Sequence, residues 1–205
     1  MKIILKERVF RLFLNRIDEW ISFKDIFIET GLKKPYISRI LKSLLLEGLL
    51  IRDGDRFHVV DYKGIFRKWI EIRDKIDLLK YFYVYPQVYK INRILEENGV
   101  EYAVTGLFAE NIIHGYTPIS GVEIYLDSSI FLDIVEMLGE KGLLKSFGKG
   151  NLILIPYDKH VFYGKFFLRG WWIVSFPQLA LDLVLSKKYG DIGYKLLEEW
   201  LEKHA

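Results

Sequence analysis

Four helix breakers, Gly31, Pro35, Gly48 and Gly54, punctuate the first sixty residues and leave room for little besides short helices, tight turns and a hairpin. Ahead of them, from Ile4 to Ile17, apolar residues recur at Val9, Leu12, Phe13 and Ile17 with a helical period, which puts Arg8, Arg11 and Arg16 on the remaining surface. Ser22, before Phe23-Lys24-Asp25, is placed to cap a second helix running to Thr30, where Gly31 supplies the left-handed residue that ends it. Pro35 then opens a third helix, because the first helical N–H groups have no partner to lose. That helix is expected to run to Glu47, with Ile37, Ile40, Leu41, Leu44 and Leu45 as its buried stripe. Leu49 to Arg52 and Phe57 to Val60 read as two strands around Asp53-Gly54-Asp55, since Asp-Gly marks a tight hairpin turn.

The outward positions of the third helix are Tyr36, Ser38, Arg39, Lys42 and Ser43, and Lys33 and Lys34 precede it. The hairpin adds Arg52, Arg56 and His58. Such groups reach phosphates and base edges, so Lys33, Lys34, Tyr36, Ser38, Arg39, Lys42, Arg52, Arg56 and His58 are the candidate contacts to double-stranded DNA. Charge points the same way. Residues 1 to 60 carry 12 Lys/Arg against 8 Asp/Glu and residues 61 to 85 carry 6 against 4, whereas residues 86 to 205 carry 12 against 15. A basic front and a mildly acidic back suit a polyanionic partner at the front. The stretch Gly31-Leu32-Lys33-Lys34-Pro35-Tyr36-Ile37-Ser38-Arg39-Ile40-Leu41-Lys42 to Glu47-Gly48-Leu49 resembles the recognition-helix region of bacterial and archaeal winged-helix regulators. That resemblance implies a winged helix-turn-helix DNA-binding domain over residues 1–62.

Residues 63–86 read as a connecting segment. Ile65, Phe66, Trp69, Ile72, Ile76 and Leu79 fall at helical spacing, and Tyr81-Phe82-Tyr83-Val84-Tyr85-Pro86 is expected to pack between domains rather than stack on bases. From residue 87 to 205 the pattern becomes α/β. Strands are expected at Tyr102–Thr105, Val122–Leu126, Leu152–Ile155, Val161–Phe167 and Trp172–Val174, with helices at Gly106–Ile113, Ile130–Leu138, Pro177–Ser186 and Ile192–Lys203. Gly148-Lys149-Gly150 reads as a hairpin turn. Asp182, alone in an apolar helix, needs a partner such as a backbone amide or Arg169.

The run Thr105-Gly106-Leu107, helix, then Ser120-Gly121-Val122-Glu123-Ile124-Tyr125-Leu126 resembles the minimal nucleotidyltransferase fold. In that fold two acids one position apart on a strand hold Mg²⁺, because alternate strand residues share a face. Here Leu107 stands at the position of the turn hydroxyl and Gly121 at that of the first acid, leaving only Glu123. Asp127 is too far along the strand to share one ion with it. The expected fold is thus α+β: a winged helix-turn-helix joined by a helix to a minimal nucleotidyltransferase-like domain over 87–205, with no catalytic residue. The alternative is an active nucleotidyltransferase that uses the winged helix to hold a nucleic-acid substrate.

Composition sets outer bounds. The absence of cysteine excludes disulfides and thiolate metal sites, and His58, His114, His160 and His204 show no metal spacing, so no metal and no cofactor is expected. Apolar runs such as Leu44–Ile51 and Phe166–Phe176 are cut short by Glu47, Gly48, Arg169 and Gly170, well below the roughly 20 residues of a membrane span. Early charges in Met-Lys-Ile-Ile-Leu-Lys-Glu-Arg leave no signal-peptide core, and the cytoplasm is the expected location.

Across most of the chain, the winged helix, Phe66-Arg67-Lys68-Trp69, the aromatic-Pro segment, Tyr102-Ala103-Val104-Thr105-Gly106-Leu107-Phe108-Ala109 and Val174-Ser175-Phe176-Pro177-Gln178-Leu179-Ala180-Leu181-Asp182-Leu183 resemble the AbiEi family. Its members are antitoxin-type transcriptional regulators of type IV toxin–antitoxin systems. The resemblance implies autorepression of an operon that also encodes a nucleotidyltransferase-like toxin. A homodimer and a cognate toxin are the protein partners it suggests.

Overall fold

The computed structural model describes residues 4–75, 78–115, 121–147, 149–186 and 188–204. The protein is mixed α and β, with one three-stranded and one seven-stranded sheet among the described residues. The chain divides into two compact units, Lys2–Ile76 with Phe176–Ala205, and Asp77–Ser175. The expected boundaries at residues 62 and 86 are therefore not where the units part. The last thirty residues return to the N-terminal unit.

In that unit α1 (Glu7–Asn15) is followed by β1 (Ile21–Ser22), α2 (Phe23–Thr30), α3 (Lys34–Leu46), β2 (Leu50–Asp53), β3 (Arg56–Val59) and α4 (Tyr62–Arg73). The closing helices α8 (Phe176–Leu185) and α9 (Gly190–His204) complete it. Helix α1 touches α4 and α8 as well as α2, so Val9, Phe10, Leu12, Phe13 and Leu14 are all wholly buried. Each such side chain contributes about 1.5–3 kcal/mol on leaving water. Helices α8 and α9 approach closely at Gly193, where a Cβ would lie 2.6 Å from the Ala180 carbonyl oxygen. The Trp200 indole N–H donates to the Leu14 carbonyl at 3.0 Å.

The return of α8 buries polar groups that the sequence places on the surface. Arg11 is 1% exposed. Its guanidinium donates twice to Oε1 of Gln178, at 3.0 and 2.8 Å, and lies 3.5 Å from the Glu7 carboxylate. Glu7 accepts from Arg73 at 2.7 Å, Gln178 donates to Asp182 at 2.9 Å, and a second nitrogen of Arg73 stands 3.9 Å from Asp182. Glu7, Arg11, Gln178, Asp182 and Arg73 thus close a ring through α1, α4 and α8. Asp182 finds its partners there and not at Arg169, which donates instead to the Ile112 carbonyl at 2.8 Å.

The second unit is built on a sheet of order β7-β4-β8-β6-β5-β10-β9. Its strands are β4 (Tyr81–Val84), β5 (Tyr102–Thr105), β6 (Val122–Asp127), β7 (Leu144–Lys145), β8 (Leu152–Tyr157), β9 (Phe166–Leu168) and β10 (Trp171–Ile173). Helices α5 (Ile91–Glu97), α6 (Gly106–His114) and α7 (Phe131–Glu140) connect them. Pairs β6/β8 and β5/β10 are parallel and the other pairs antiparallel. All four residues of β5 are buried, as expected of a strand covered on both faces.

Two expectations change here. The aromatic run at Tyr81 is a strand of this sheet, with Tyr83 and Tyr85 buried, because β-prone aromatics find pairing on both sides between β7 and β8. Strands β7 and β8 each pair with β4, and Gly150 passes so close to that strand that a Cβ would meet the Tyr83 carbonyl. The segment from Val161 to Phe167 forms a 3₁₀ turn over Lys159–Phe162 and only then a strand, because the Asp158 side chain caps the turn by accepting from the His160 N–H. Ile76, Ser120 and Gly148, to which the sequence pattern assigns places, lie outside the described residues.

Candidate nucleic-acid interface

Local sequence positions α2 and α3 firmly. The Ser22 hydroxyl accepts from the Asp25 N–H at 3.1 Å and donates to the Asp25 carboxylate at 2.7 Å, a reciprocal cap that holds the Asp25 carboxyl below the usual carboxylate range. Gly31 takes φ 63° at the C-terminus of α2. Arg8 pins that turn by donating to the Thr30 carbonyl at 2.7 Å. Lys33 caps α3 in extended conformation, and Pro35 sits in the first turn.

Helix α3 turns Ile37, Ile40, Leu41 and Leu44 inward, each no more than 4% exposed. Lys33, Lys34, Ser38, Arg39 and Lys42 are exposed, whereas Tyr36 is half-buried with the Arg39 guanidinium 5.6 Å from its ring centre. At the far end Glu47 is held by Lys68 and by the Ser43 hydroxyl, which donates at 2.8 Å, and these keep its carboxyl below the usual range. The charge of Glu47 is thereby matched by the ammonium of Lys68.

The hairpin divides the remaining candidates between its two faces. Its register is Leu50↔Val59, Ile51↔His58, Arg52↔Phe57 and Asp53↔Arg56, with Gly54 at φ 58° opening the two-residue loop. Directly opposed residues share a face. Arg52 therefore goes with Phe57 on the face toward α3, its guanidinium 5.6 Å from that ring and donating to the Gly54 carbonyl at 2.6 Å. Arg56 and His58 lie on the opposite face. His58 stacks on Trp20 at 5.2 Å beside the Glu19 carbonyl, so its role in the fold is packing. The short strand β1, which no sequence pattern announces, pairs with β3 at Ile21↔Phe57 and Ser22↔Arg56.

Between α2, α3 and the inner face of the hairpin runs an open trough of about 870 Å³. Lys34, Ser38, Lys42 and Arg52 of the expected set line it, together with Leu41, Leu45, Phe57 and Asp55. Helix α2 contributes Phe23, Lys24, Phe27 and Ile28, none of them anticipated. Phe27 is 38% and Ile28 60% exposed, and periodicity could not flag them because a short helix gives too few turns to fix its buried face. The structure thus brings Lys34, Ser38, Lys42 and Arg52 together, leaves Arg39 and Tyr36 on the other shoulder of α3, and separates Arg56 and His58.

No family model, curated protein or solved structure matches this chain. Its chemistry has to be read from its own geometry.

The second unit offers one further polar cluster. Gly106 opens α6 at φ 66°, and a Cβ there would come within 2.9 Å of a Glu123 carboxylate oxygen. The other oxygen of Glu123 accepts from Lys80 at 2.6 Å. Glu123 therefore sits at the N-terminus of α6, where a negative charge is favourable, and is matched by an ammonium. Asp127 turns its carboxylate back on Ser129, accepting from its N–H at 2.9 Å and its hydroxyl at 2.8 Å. Among the described residues no group of three or more His, Asp and Glu side chains could hold a metal ion. None of their helices is long and apolar enough to cross a membrane.

Proposed function

We propose that the chain is a sequence-specific DNA-binding transcriptional regulator in which α1 to α3 and β1 to β3 act as a winged helix-turn-helix. The observation that carries this reading is the shared solvent-open face of α3 and Arg52: Lys34, Lys42, Arg52 and the Ser38 hydroxyl stand together, with Arg39 exposed on the adjoining shoulder, over a helix anchored by a fully apolar inner face. The unit that holds this face has 21 Lys/Arg against 16 Asp/Glu, while Asp77–Ser175 has 9 against 11. A cationic helix of this kind fits the roughly 12 Å major groove, where Arg39 can pair with a guanine edge while Lys34 and Lys42 take phosphates. Arg52 reaches the same strand from the hairpin. Its short arms suit contact with the backbone flanking the groove.

The resemblance to the AbiEi family extends the proposal to autorepression of an operon with a nucleotidyltransferase-like toxin, by a regulator that acts as a homodimer. For Asp77–Ser175 we propose a scaffold without transferase activity. Phosphoryl transfer needs carboxylates free to hold Mg²⁺ against phosphates, and here Glu123 is engaged by Lys80 and by the start of α6. Selection of genomic fragments by the purified protein tests the main reading. Enrichment of a short common sequence, its own promoter included, is expected; fragments recovered in proportion to their abundance would overturn it.

A further inference from the structure

A phosphate backbone laid on the face of α3 uses the rim of the trough and leaves its floor unexplained. Phe27, Ile28, Leu45 and Phe57 form an apolar floor that phosphates and bases do not match. The rim is cationic, and two of its cations lean inward. Lys34 lies 5.3 Å from the Phe27 ring centre and Arg52 lies 5.6 Å from that of Phe57, so charge and aromatic surface are presented side by side. A volume of about 870 Å³ falls in the range of about 300–1,000 Å³ of small-molecule sites. Asp55 is the one acid in the lining.

We propose that this trough binds an amphipathic organic anion, a carboxylate on an aliphatic body. The body lies on Phe27, Ile28 and Leu45, and the carboxylate is received by Lys34 and Arg52. Because those cations, with Ser38 and Lys42, also belong to the DNA face, the bound anion and DNA exclude one another. That second half rests on the DNA-binding reading; the ligand site does not. Such a ligand would release the regulator from its operator by direct competition.

Calorimetric titration of the full chain with decanoate, octanoate and decan-1-ol, all below their micelle or solubility limits, tests the site without DNA. Decanoate should bind one to one, about fifteenfold more tightly than octanoate, since each buried methylene gives about fourfold. It should also bind at least tenfold more tightly than decan-1-ol. Ile28 is 60% exposed, so Ile28→Glu leaves the fold intact, and it should weaken decanoate at least tenfold; Ile28→Ser, with a smaller expected effect, serves if that variant melts early. No binding, equal binding of the alcohol, or unchanged binding to both variants would overturn the site. Capture of an acidic amphipathic peptide with no decanoate binding would overturn it in favour of a protein partner. In a parallel arm decanoate should displace a duplex selected from the genomic fragments from the wild type and not from Ile28→Glu. A duplex that stays bound at saturating decanoate overturns the competition, whereas a protein that binds decanoate and never binds DNA overturns the DNA reading alone.

Discussion

Arg11 and Arg39 are both basic residues beside the apolar stripe of an amphipathic helix, yet one is walled into the core and the other faces water. The difference lies in what comes back to cover each helix. Helix α8, more than 160 residues away in sequence, packs on α1 and brings Gln178 to Arg11. Within the described N-terminal unit nothing comparable covers the outer line of α3. A buried guanidinium is tolerable because Glu7 supplies the opposite charge and Gln178 accepts its hydrogen bonds, while Glu7 and Asp182 in turn match Arg73; an exposed one costs nothing and stays open to solvent. Polar side chains therefore serve stability in one region and are left open to solvent in the other.

That division breaks most visibly at the ring. Removing one partner from a buried ionic network strands the rest, so Glu7→Ala or Arg73→Ala should cost about 3–5 kcal/mol in urea denaturation. The fraction that stays folded should keep its DNA affinity. A destabilisation below about 1 kcal/mol coupled to weakened DNA binding would mean that the ring belongs to recognition after all. The next effect concerns the packing of α9 against α8, the helix that carries Gln178 and Asp182. Gly193→Ala pushes a methyl group into the Ala180 carbonyl and should destabilise by about 1–3 kcal/mol, measured as a lowered Tm.

How much of this is legible in the sequence follows from the range of the forces. Ser22, Gly31, Pro35, Gly48 and Gly54 act within a few residues, and each ends or begins an element as its local chemistry requires. The cationic face of α3 is readable because the helix is long enough for its apolar stripe to define the opposite side. Arg11 is misplaced by the same pattern because a periodicity cannot tell water from a second helix arriving from the far end of the chain. The strand at Tyr81 is hidden for a related reason, since its partners β7 and β8 lie some sixty to seventy residues on. The two faces of the hairpin need the register itself: a single step moves Arg52 and Arg56 to opposite sides.

Smaller effects sharpen the contrast. Ser22→Ala removes the α2 cap and should cost about 1 kcal/mol by thermal denaturation, with little change in DNA affinity at fixed salt. Arg52→Ala should weaken DNA binding more than Arg56→Ala, because only Arg52 lines the trough; the reverse order would place the DNA against the Trp20 side of the hairpin. The smallest effect is one of pH. The Glu47 carboxyl is depressed by Lys68 and Ser43, so its contribution is complete above its ordinary value of 4.5 and disappears as pH falls through the lower folded value. Glu47→Gln should flatten the acid limb of the stability curve in that window alone, and an unchanged limb would show that the pair contributes nothing.

The most direct measurement is the salt dependence of duplex DNA affinity for the wild type and for Arg39→Ala/Lys42→Ala. Both proteins should melt alike, since exposed substitutions change stability by about 0.5 kcal/mol or less. The double variant should bind more weakly, and the slope of log affinity against log salt should become shallower by about one unit for each phosphate the variant no longer neutralises. Equal affinity and equal slope in two equally stable proteins would contradict the assignment of α3 as the DNA-reading helix.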